Sequence, residues 1–244
     1  MADGKRTPRT RWRYVRGEGL EFDRVAFFTD AVFAIAMTLL IVSIDAPHLP
    51  PPTDDPGVLT EALKGLGPEF FSFFLAFLLI GRYWLAHHEL FSSMKAVDRS
   101  FITLNLVYLA FVAFLPFPTE LVGRYAENPV SVVLFALCLA AVSGMETVLF
   151  RLAYRHRLLR IELGPDGYRY GVIQSTTPVV LFLISIPIAY VSTTIALLSW
   201  LLAIPAGIWI DHRAGMKTED IMAPPTEPDR AEAVQRMPMW FIAS

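Results

Sequence analysis

Residues 24–45 read Arg24-Val-Ala-Phe-Phe-Thr-Asp30-Ala-Val-Phe-Ala-Ile35-Ala-Met-Thr38-Leu39-Leu-Ile-Val42-Ser-Ile-Asp45. From Ala31 to Ile44 the run is apolar, apart from two hydroxyl-bearing side chains, and an arginine and an aspartate precede it. A charged side chain near hydrocarbon is costly unless it faces protein or water. We therefore expect a membrane-spanning helix that lines or supports a polar feature, rather than a simple anchor.

The helical period divides this span into faces. At about 100° per residue, one stripe holds Ala31, Ile35, Leu39 and Val42, with Thr38 on its flank. Asp30 projects about 140° from the Ile35 direction and so lies on a different face. Two interpretations remain open: the stripe is a packing face, or it lines a pore.

The pattern of identities also resembles a known family. Arg-x-x-x-Phe-Thr-Asp, followed by an alanine-rich helix with a threonine eight residues after the aspartate, is similar to the Arg-x-x-x-Phe-Ser-Asp signature of the transmembrane protein 175 potassium channels. Thr29 stands where that family has serine, and both side chains carry a hydroxyl. The positions that carry the resemblance are Arg24, Phe28, Thr29, Asp30, Ile35 and Thr38.

The resemblance implies a bacterial single-repeat channel subunit, with four copies around one central pore. Potassium would pass transiently and no other metal would be bound. Hydrophobic rings and hydroxyl groups would then serve as gate and selectivity element. The implied pore-lining residues are Ala31, Ile35, Thr38, Leu39 and Val42.

The resemblance further implies a structural network that braces the pore helix through Arg24 and Asp30. We add Trp84, His88 and Asn105, because these side chains carry polar groups at about the same predicted depth and buried polar groups need partners. The full predicted network comprises Arg24, Phe28, Thr29, Asp30, Trp84, His88 and Asn105.

Composition predicts an all-α integral membrane protein. Of 244 residues, 54% are hydrophobic and mean hydropathy is +0.46, more than the core of a soluble domain requires. Six transmembrane helices are predicted, at about 20–46, 59–92, 98–119, 129–152, 170–190 and 194–211. The predicted organisation is a basic cytoplasmic segment at 1–19, a six-helix channel domain at 20–213 and a cytoplasmic tail at 214–244.

Basic residues predict the orientation in the cell membrane. Of 21 Lys and Arg residues, 18 lie before or at the start of span one, where Arg24 is counted, or at the ends of spans two, four and six and beyond them. Lys64 and Arg124 lie on the opposite side, and Arg82 lies within span two. By the positive-inside rule, both termini are cytoplasmic. The other side carries Asp45, Asp54 and Asp55, which we expect to raise the local cation concentration at the outer mouth.

One further basic cluster follows span four. Arg151, Arg155, Arg157 and Arg160 are spaced by four, two and three residues. A voltage-sensing helix would carry its arginines within an apolar span, so a juxtamembrane basic helix is the preferred interpretation.

Other function classes lack support in the sequence. His87-His88-Glu89 has no His-x-x-x-His partner spacing for zinc, and the single cysteine, Cys138, excludes an intrachain disulfide. Neither Ser143 nor His88 has an evident catalytic partner, so we expect no enzyme, no cofactor and no nucleic-acid partner; the expected partners are potassium, lipid and further copies of the chain. The alternative is a proton or small-solute transporter, for which Glu146 is the one buried ionisable candidate.

Overall fold

A computed structural model describes residues 15–16, 20–49, 55–161 and 163–201. Within these residues the chain is mostly helical. The elements in chain order are β1 (Val15–Arg16), α1 (Leu20–Leu39), a 3₁₀ helix (Leu40–Ser43), α2 (Pro56–Gly65), α3 (Gly67–Ser92), β2 (Ala96–Val97), α4 (Arg99–Phe114), α5 (Pro116–Arg124), α6 (Pro129–Arg155), α7 (Pro165–Ala189) and α8 (Thr193–Trp200).

Side-chain caps begin four of these helices. Asp55, Asp98, Asn128 and Ser192 each accept a hydrogen bond from a backbone N–H of the first turn, at 2.8 to 3.3 Å. Such caps satisfy donors that have no partner inside the helix. Several helices also have proline in their first turn, where its missing N–H costs nothing.

In the part of the chain that the structure describes, five segments are long and apolar enough to cross a membrane: Phe22–Ser43, Gly67–Ser92, Arg99–Arg124, Pro129–Arg155 and Pro165–Ala189. They correspond to the first five spans predicted from the sequence. The sixth predicted span begins with α8, but its continuation lies outside the described residues, as do nearly all of the predicted terminal segments.

Three predicted helix bounds need correction. The α-helix of span one ends at Leu39 and continues as a 3₁₀ helix. Span two begins as a separate short helix, α2, and span three divides at Leu115. Gly65, Gly67 and Pro68 account for the first division, since glycine weakens a helix and proline has no N–H; Pro116 accounts for the second.

The predicted juxtamembrane basic helix is also wrong in part. Arg151 and Arg155 lie in the last turns of α6, but the helix ends at Arg155. Arg157 and Arg160 belong to the connection that leads to α7. Backbone hydrogen bonds of this connection explain its departure from the helix, as described below.

Helix α1 packs against α3 and α4, and α6 packs against α4 and α7. The buried core runs through the bundle and includes Phe33, Ile80, Tyr108, Phe135 and Leu139. At one end, β1 pairs antiparallel with β2, with Val15 opposite Val97. This ribbon joins the segment before α1 to the connection between α3 and α4.

Candidate pore helix

One face of α1 is buried in the bundle. Thr29, Phe33, Ala36 and Leu40 recur at steps of four, three and four residues, and none is more than 2% exposed. This spacing keeps the side chains on one side of a helix. Beside this face, Met37 is half-buried and Ile41 is exposed.

Two side-chain hydrogen bonds hold this face to neighbouring helices. The indole Nε1 of Trp84 on α3 donates to Asp30 Oδ1 at 2.9 Å. The amide Nδ2 of Asn105 on α4 donates to Thr29 Oγ1 at 2.9 Å, and that hydroxyl donates in turn to the Val25 carbonyl at 2.9 Å. Consecutive residues of α1 are thus bonded to two different helices, which fixes the rotation of α1 about its axis.

Aromatic rings fill the space one turn further along. The Phe33 ring lies 5.9 Å from the His87 ring and 6.0 Å from the Tyr108 ring, measured between centroids. His87 stacks on Tyr108 at 4.8 Å with an interplanar angle of 11°. The three rings join α1, α3 and α4 in one buried cluster.

The opposite face of α1 is open in the single chain. Ile35 is 58% exposed, Leu39 46% and Val42 70%, and Ala31 and Thr38 are exposed as well. All five predicted pore-lining residues therefore lie on the side of α1 that the rest of the subunit leaves uncovered. Asp30 lies half-buried toward α3, away from them.

The 3₁₀ helix keeps Val42 on the same open face as Leu39. Three residues make one turn in a 3₁₀ helix, so side chains three positions apart lie above one another. Val42 therefore stays close to the direction of Leu39, whereas a continued α-helix would turn it by about 60°. The Ser43 hydroxyl donates to the Leu40 carbonyl at 2.8 Å within this segment.

Thr38 presents its hydroxyl oxygen on the same side. Its Oγ1 donates to the Ile35 carbonyl at 2.9 Å. Because a hydroxyl has one proton and two acceptor lone pairs, this bond leaves oxygen acceptors available to a cation. The hydroxyl is thus oriented by the helix itself.

The acidic end of span one is partly neutralised. Arg124 lies 3.4 Å from the Asp45 carboxylate and 3.0 Å from that of Glu120. The Asp55 carboxylate caps α2 by accepting from Gly57 N at 2.8 Å, and Asp54 lies outside the described residues. The cation-concentrating charge expected here is therefore smaller than the three aspartates alone suggest.

The members of the predicted network divide into two groups. Thr29, Asp30, Trp84 and Asn105 are brought together by the bonds above. His88 is exposed and stacks on the Trp84 indole at 5.4 Å. Arg24 and Phe28 are exposed, and within the described part of the chain the Arg24 guanidinium forms no ion pair with Asp30 at 4 Å or less.

Sequence reasoning missed His87 as the histidine that packs on α1. It is 2% exposed, whereas its neighbour His88 is open. The signal was present in the spacing, since His87 lies four residues from both Tyr83 and Phe91, which are buried on the same face of α3.

Two residues considered above for other functions, Ser143 for catalysis and Glu146 for transport, lie on α6. Ser143 is buried, its hydroxyl oxygen lies 2.6 Å from Tyr83 Oη, and it donates to the Leu139 carbonyl at 2.9 Å. Glu146 is half-buried on α6. In the described ranges, no group of three His, Cys, Asp or Glu side chains is arranged to hold a metal ion.

Comparison with known proteins shows which family the first spans resemble. The family described as "Endosomal/lysosomal potassium channel TMEM175" matches residues 24–116. A potassium channel of Streptomyces collinus is 42% identical over 108 residues, which cover 44% of this chain and 50% of that protein. The human endosomal/lysosomal proton channel TMEM175 is 38% identical over 116 residues, covering 46% and 23%. The chain thus spans half or less of the length of these two relatives.

Solved structures extend the likeness beyond the matched sequence. A crystal structure described as a lysosomal potassium-selective channel TMEM175 homologue from Chamaesiphon minutus has a TM-score of 0.65 at 24% identity, covering 80% of this chain and 99% of that one. A variant of the potassium channel MtTMEM175 has a TM-score of 0.53 at 17% identity, covering 85% and 98%. At these identities the likeness shows the fold. The resemblance of this chain to the TMEM175 channel family is therefore confirmed, in sequence over residues 24–116 and in fold over most of the described chain.

Proposed function

We propose that this chain is a subunit of a potassium-permeable cation channel of the cell membrane, which conducts ions passively through a pore lined by the open face of α1. The observation that carries the proposal is the two-sided character of α1. Thr29 and Asp30 are bonded to α4 and α3, while Ile35, Leu39 and Val42 project from the subunit. A helix with a fixed rotation can present the same side chains to a pore in every subunit.

The chemistry of this face fits a narrow hydrophobic gate. Aliphatic rings in a narrow pore exclude water, so Ile35 and Leu39 would close the path by dewetting. The Thr38 hydroxyl oxygens beside them would replace part of the hydration shell of an ion. Potassium is the more weakly hydrated ion, so it would lose less hydration free energy than sodium on entering the narrow pore.

A single copy of α1 cannot enclose an aqueous path, so the proposal requires a homotetramer with α1 of each subunit facing the axis. Cyclic symmetry repeats one open face around that axis. Mass measurement of the purified protein in detergent tests this assembly. A stable monomer or dimer with full ion flux would contradict it.

The names of the relatives support a channel but differ in the ion. Bacterial relatives are named potassium channels, and vertebrate relatives are named proton channels. The alternative of a proton or small-solute transporter is separated by kinetics, because a transporter saturates with its substrate while a channel carries current along any gradient of the permeant ion.

The proposal is tested by potassium flux across the membrane of liposomes that contain the purified protein, with a potassium gradient as the driving force. Wild-type protein should carry potassium without another substrate, and Ile35→Asn should raise the basal leak by wetting the constriction. Ile184→Asn is the matched control, because Ile184 on α7 is 57% exposed against 58% for Ile35. Equal leak from both variants, or from neither, would show that α1 does not line the conduction path.

A further inference from the structure

A partly open cavity of about 310 Å³ lies at the end of the bundle where α3 and α6 finish. Its size falls in the range typical of small-ligand sites. Three cationic side chains share its wall with a tyrosine and three aliphatic residues: the lining consists of Lys95, Tyr154, Arg155, Arg157, Leu159, Ile161 and Leu163.

The connection between α3 and α4 and the connection between α6 and α7 both contribute to this cavity, and they are hydrogen-bonded to each other. Lys95 N donates to the Leu158 carbonyl at 2.8 Å, and Arg160 N donates to the Ser93 carbonyl at 2.8 Å. The Arg160 guanidinium also donates through Nε to the Met94 carbonyl at 3.0 Å. The basic rim is therefore held by backbone pairing, rather than formed by side chains on unattached loops.

The charges of the cavity favour an anion. Among the described residues that line it, none is acidic, and the carboxylate of Asp98, which follows Val97 in the same connection, is engaged with His156 Nδ1. Lys95, Arg155 and Arg157 are all exposed and are like-charged. Like charges gathered at one rim repel one another, and a bound anion relieves that repulsion.

Arg157 has an unusual backbone conformation for its residue type. Its φ of 56° is in the left-handed region, where glycine is preferred. It follows the C-terminus of α6 in a Schellman arrangement, with Leu158 N bonded to the Ala153 carbonyl at 2.9 Å and Arg157 N to that of Tyr154 at 3.1 Å. Glycine would form this turn with less strain, but it would remove a cationic side chain from the cavity.

We propose that this cavity binds the phosphoryl group of an anionic lipid headgroup. Arginine and lysine pair with phosphate oxygens through charge-assisted hydrogen bonds, and clusters of basic residues next to a membrane helix recognise anionic lipids. The cavity lies at the ends of two membrane-spanning helices, and the exposed Ile161 and half-buried Leu163 offer an apolar side to the lipid chains. A free phosphate ion shares the headgroup chemistry but has no use for this apolar side.

Thermal unfolding of the purified full chain in detergent tests the proposal. Added phosphatidylglycerol should raise the Tm by several degrees, while phosphatidylcholine at the same concentration should not. Inorganic phosphate forms the third arm. A shift with phosphatidylglycerol alone identifies the lipid as the source, and an equal shift with inorganic phosphate assigns the site to the free anion instead.

Variants separate the cavity from general surface charge. Arg157→Gly should leave the Tm without lipid equal or higher, because glycine suits the left-handed turn, yet it should remove most of the phosphatidylglycerol shift. Lys95→Gln should also reduce the shift. Arg151→Gln removes one exposed positive charge of α6 outside the cavity, and this control should keep the full Tm shift with phosphatidylglycerol. A full shift in both cavity variants, or an equal loss in the Arg151 control, would overturn the proposal.

Discussion

The indole Nε1 of Trp84 donates a 2.9 Å hydrogen bond to Asp30 Oδ1, and this bond joins the C-terminal half of α3 to the middle of α1. The residue next to Asp30, Thr29, is bonded to Asn105 on α4. The acidic residue of the signature is therefore turned toward the helical bundle. It points away from the open face of α1 that carries Ile35 and Leu39.

We expect Trp84→Phe to lower stability without changing ion preference. The substitution leaves the half-buried Asp30 carboxylate without its indole donor, and hydrogen bonds to charged groups contribute about 1.5–3 kcal/mol. Thermal unfolding and the yield of assembled protein measure the loss. Asp23→Asn removes an exposed carboxylate from the same helix and serves as the control. Altered selectivity with normal stability in Trp84→Phe would contradict the bracing role.

Thr29 offers a test of the second bond. Thr29→Ser keeps the hydroxyl that accepts from Asn105 and should leave the unfolding temperature nearly unchanged. Thr29→Val keeps the shape but leaves the buried Asn105 amide without an acceptor, at a cost of about 1–3 kcal/mol. If the two variants unfold at the same temperature, the hydroxyl does not hold α1 to α4.

Thr38 is expected to contribute to ion preference. Thr38→Ala removes the hydroxyl oxygen from the open face and should reduce the preference for potassium over sodium, measured as a shift in reversal potential. Thr177→Ala is a matched control, because Thr177 is on α7 and its hydroxyl donates to the Ile173 carbonyl at 2.8 Å, much as Thr38 donates to Ile35. Unchanged reversal potentials in Thr38→Ala would place this hydroxyl outside the conduction path.

Arg124 should limit cation entry at the acidic end of span one. Arg124→Gln frees the Asp45 and Glu120 carboxylates, so conductance at low ionic strength should rise. The gain should vanish near 1 M salt, where the Debye length is about 3 Å. Lys64→Gln, which removes a cation paired with Glu61 on α2, should have a smaller effect. A rise that persists in high salt would indicate a structural cause instead.

The topology predicts which loops reagents reach from outside intact cells. On a Cys138→Ala background, a cysteine at Thr60 should react with a membrane-impermeant thiol reagent without permeabilisation. A cysteine at Ser100, which lies at the opposite end of the bundle, should react only after permeabilisation. The reverse pattern would invert the orientation inferred from the basic residues.

The sequence predicted the spans well because a membrane-spanning helix needs about 20 mostly apolar residues, and hydropathy measures that property directly. The described chain contains the first five predicted spans, and the residues expected on the pore stripe lie on one open face. Periodicity could not choose between His87 and His88, since adjacent residues differ by about 100° and only packing against Phe33 and Tyr108 decides which is buried.

The expected role of Arg24 illustrates a different limit. Motif reasoning placed Arg24 and Asp30 in one network with polar residues of the second and third spans, but six residues on a helix place their side chains about 120° apart. The subunit instead supplies Trp84 as the partner of Asp30 and leaves Arg24 exposed. A motif records which residues occur together and does not say which of them touch.

The 3₁₀ turn at Leu40–Ser43 sets the direction in which Val42 projects at the end of α1. If these residues became α-helical, Val42 would swing by about 60° around the axis relative to Leu39, and the three steps between them would shorten by about 1.5 Å. Thr29 and Asp30 could keep their bonds throughout. In the proposed tetramer, the Val42 side chains would thus leave the pore axis by local winding, while the base of each α1 stays still; reagent access would then change at position 42 and not at position 39.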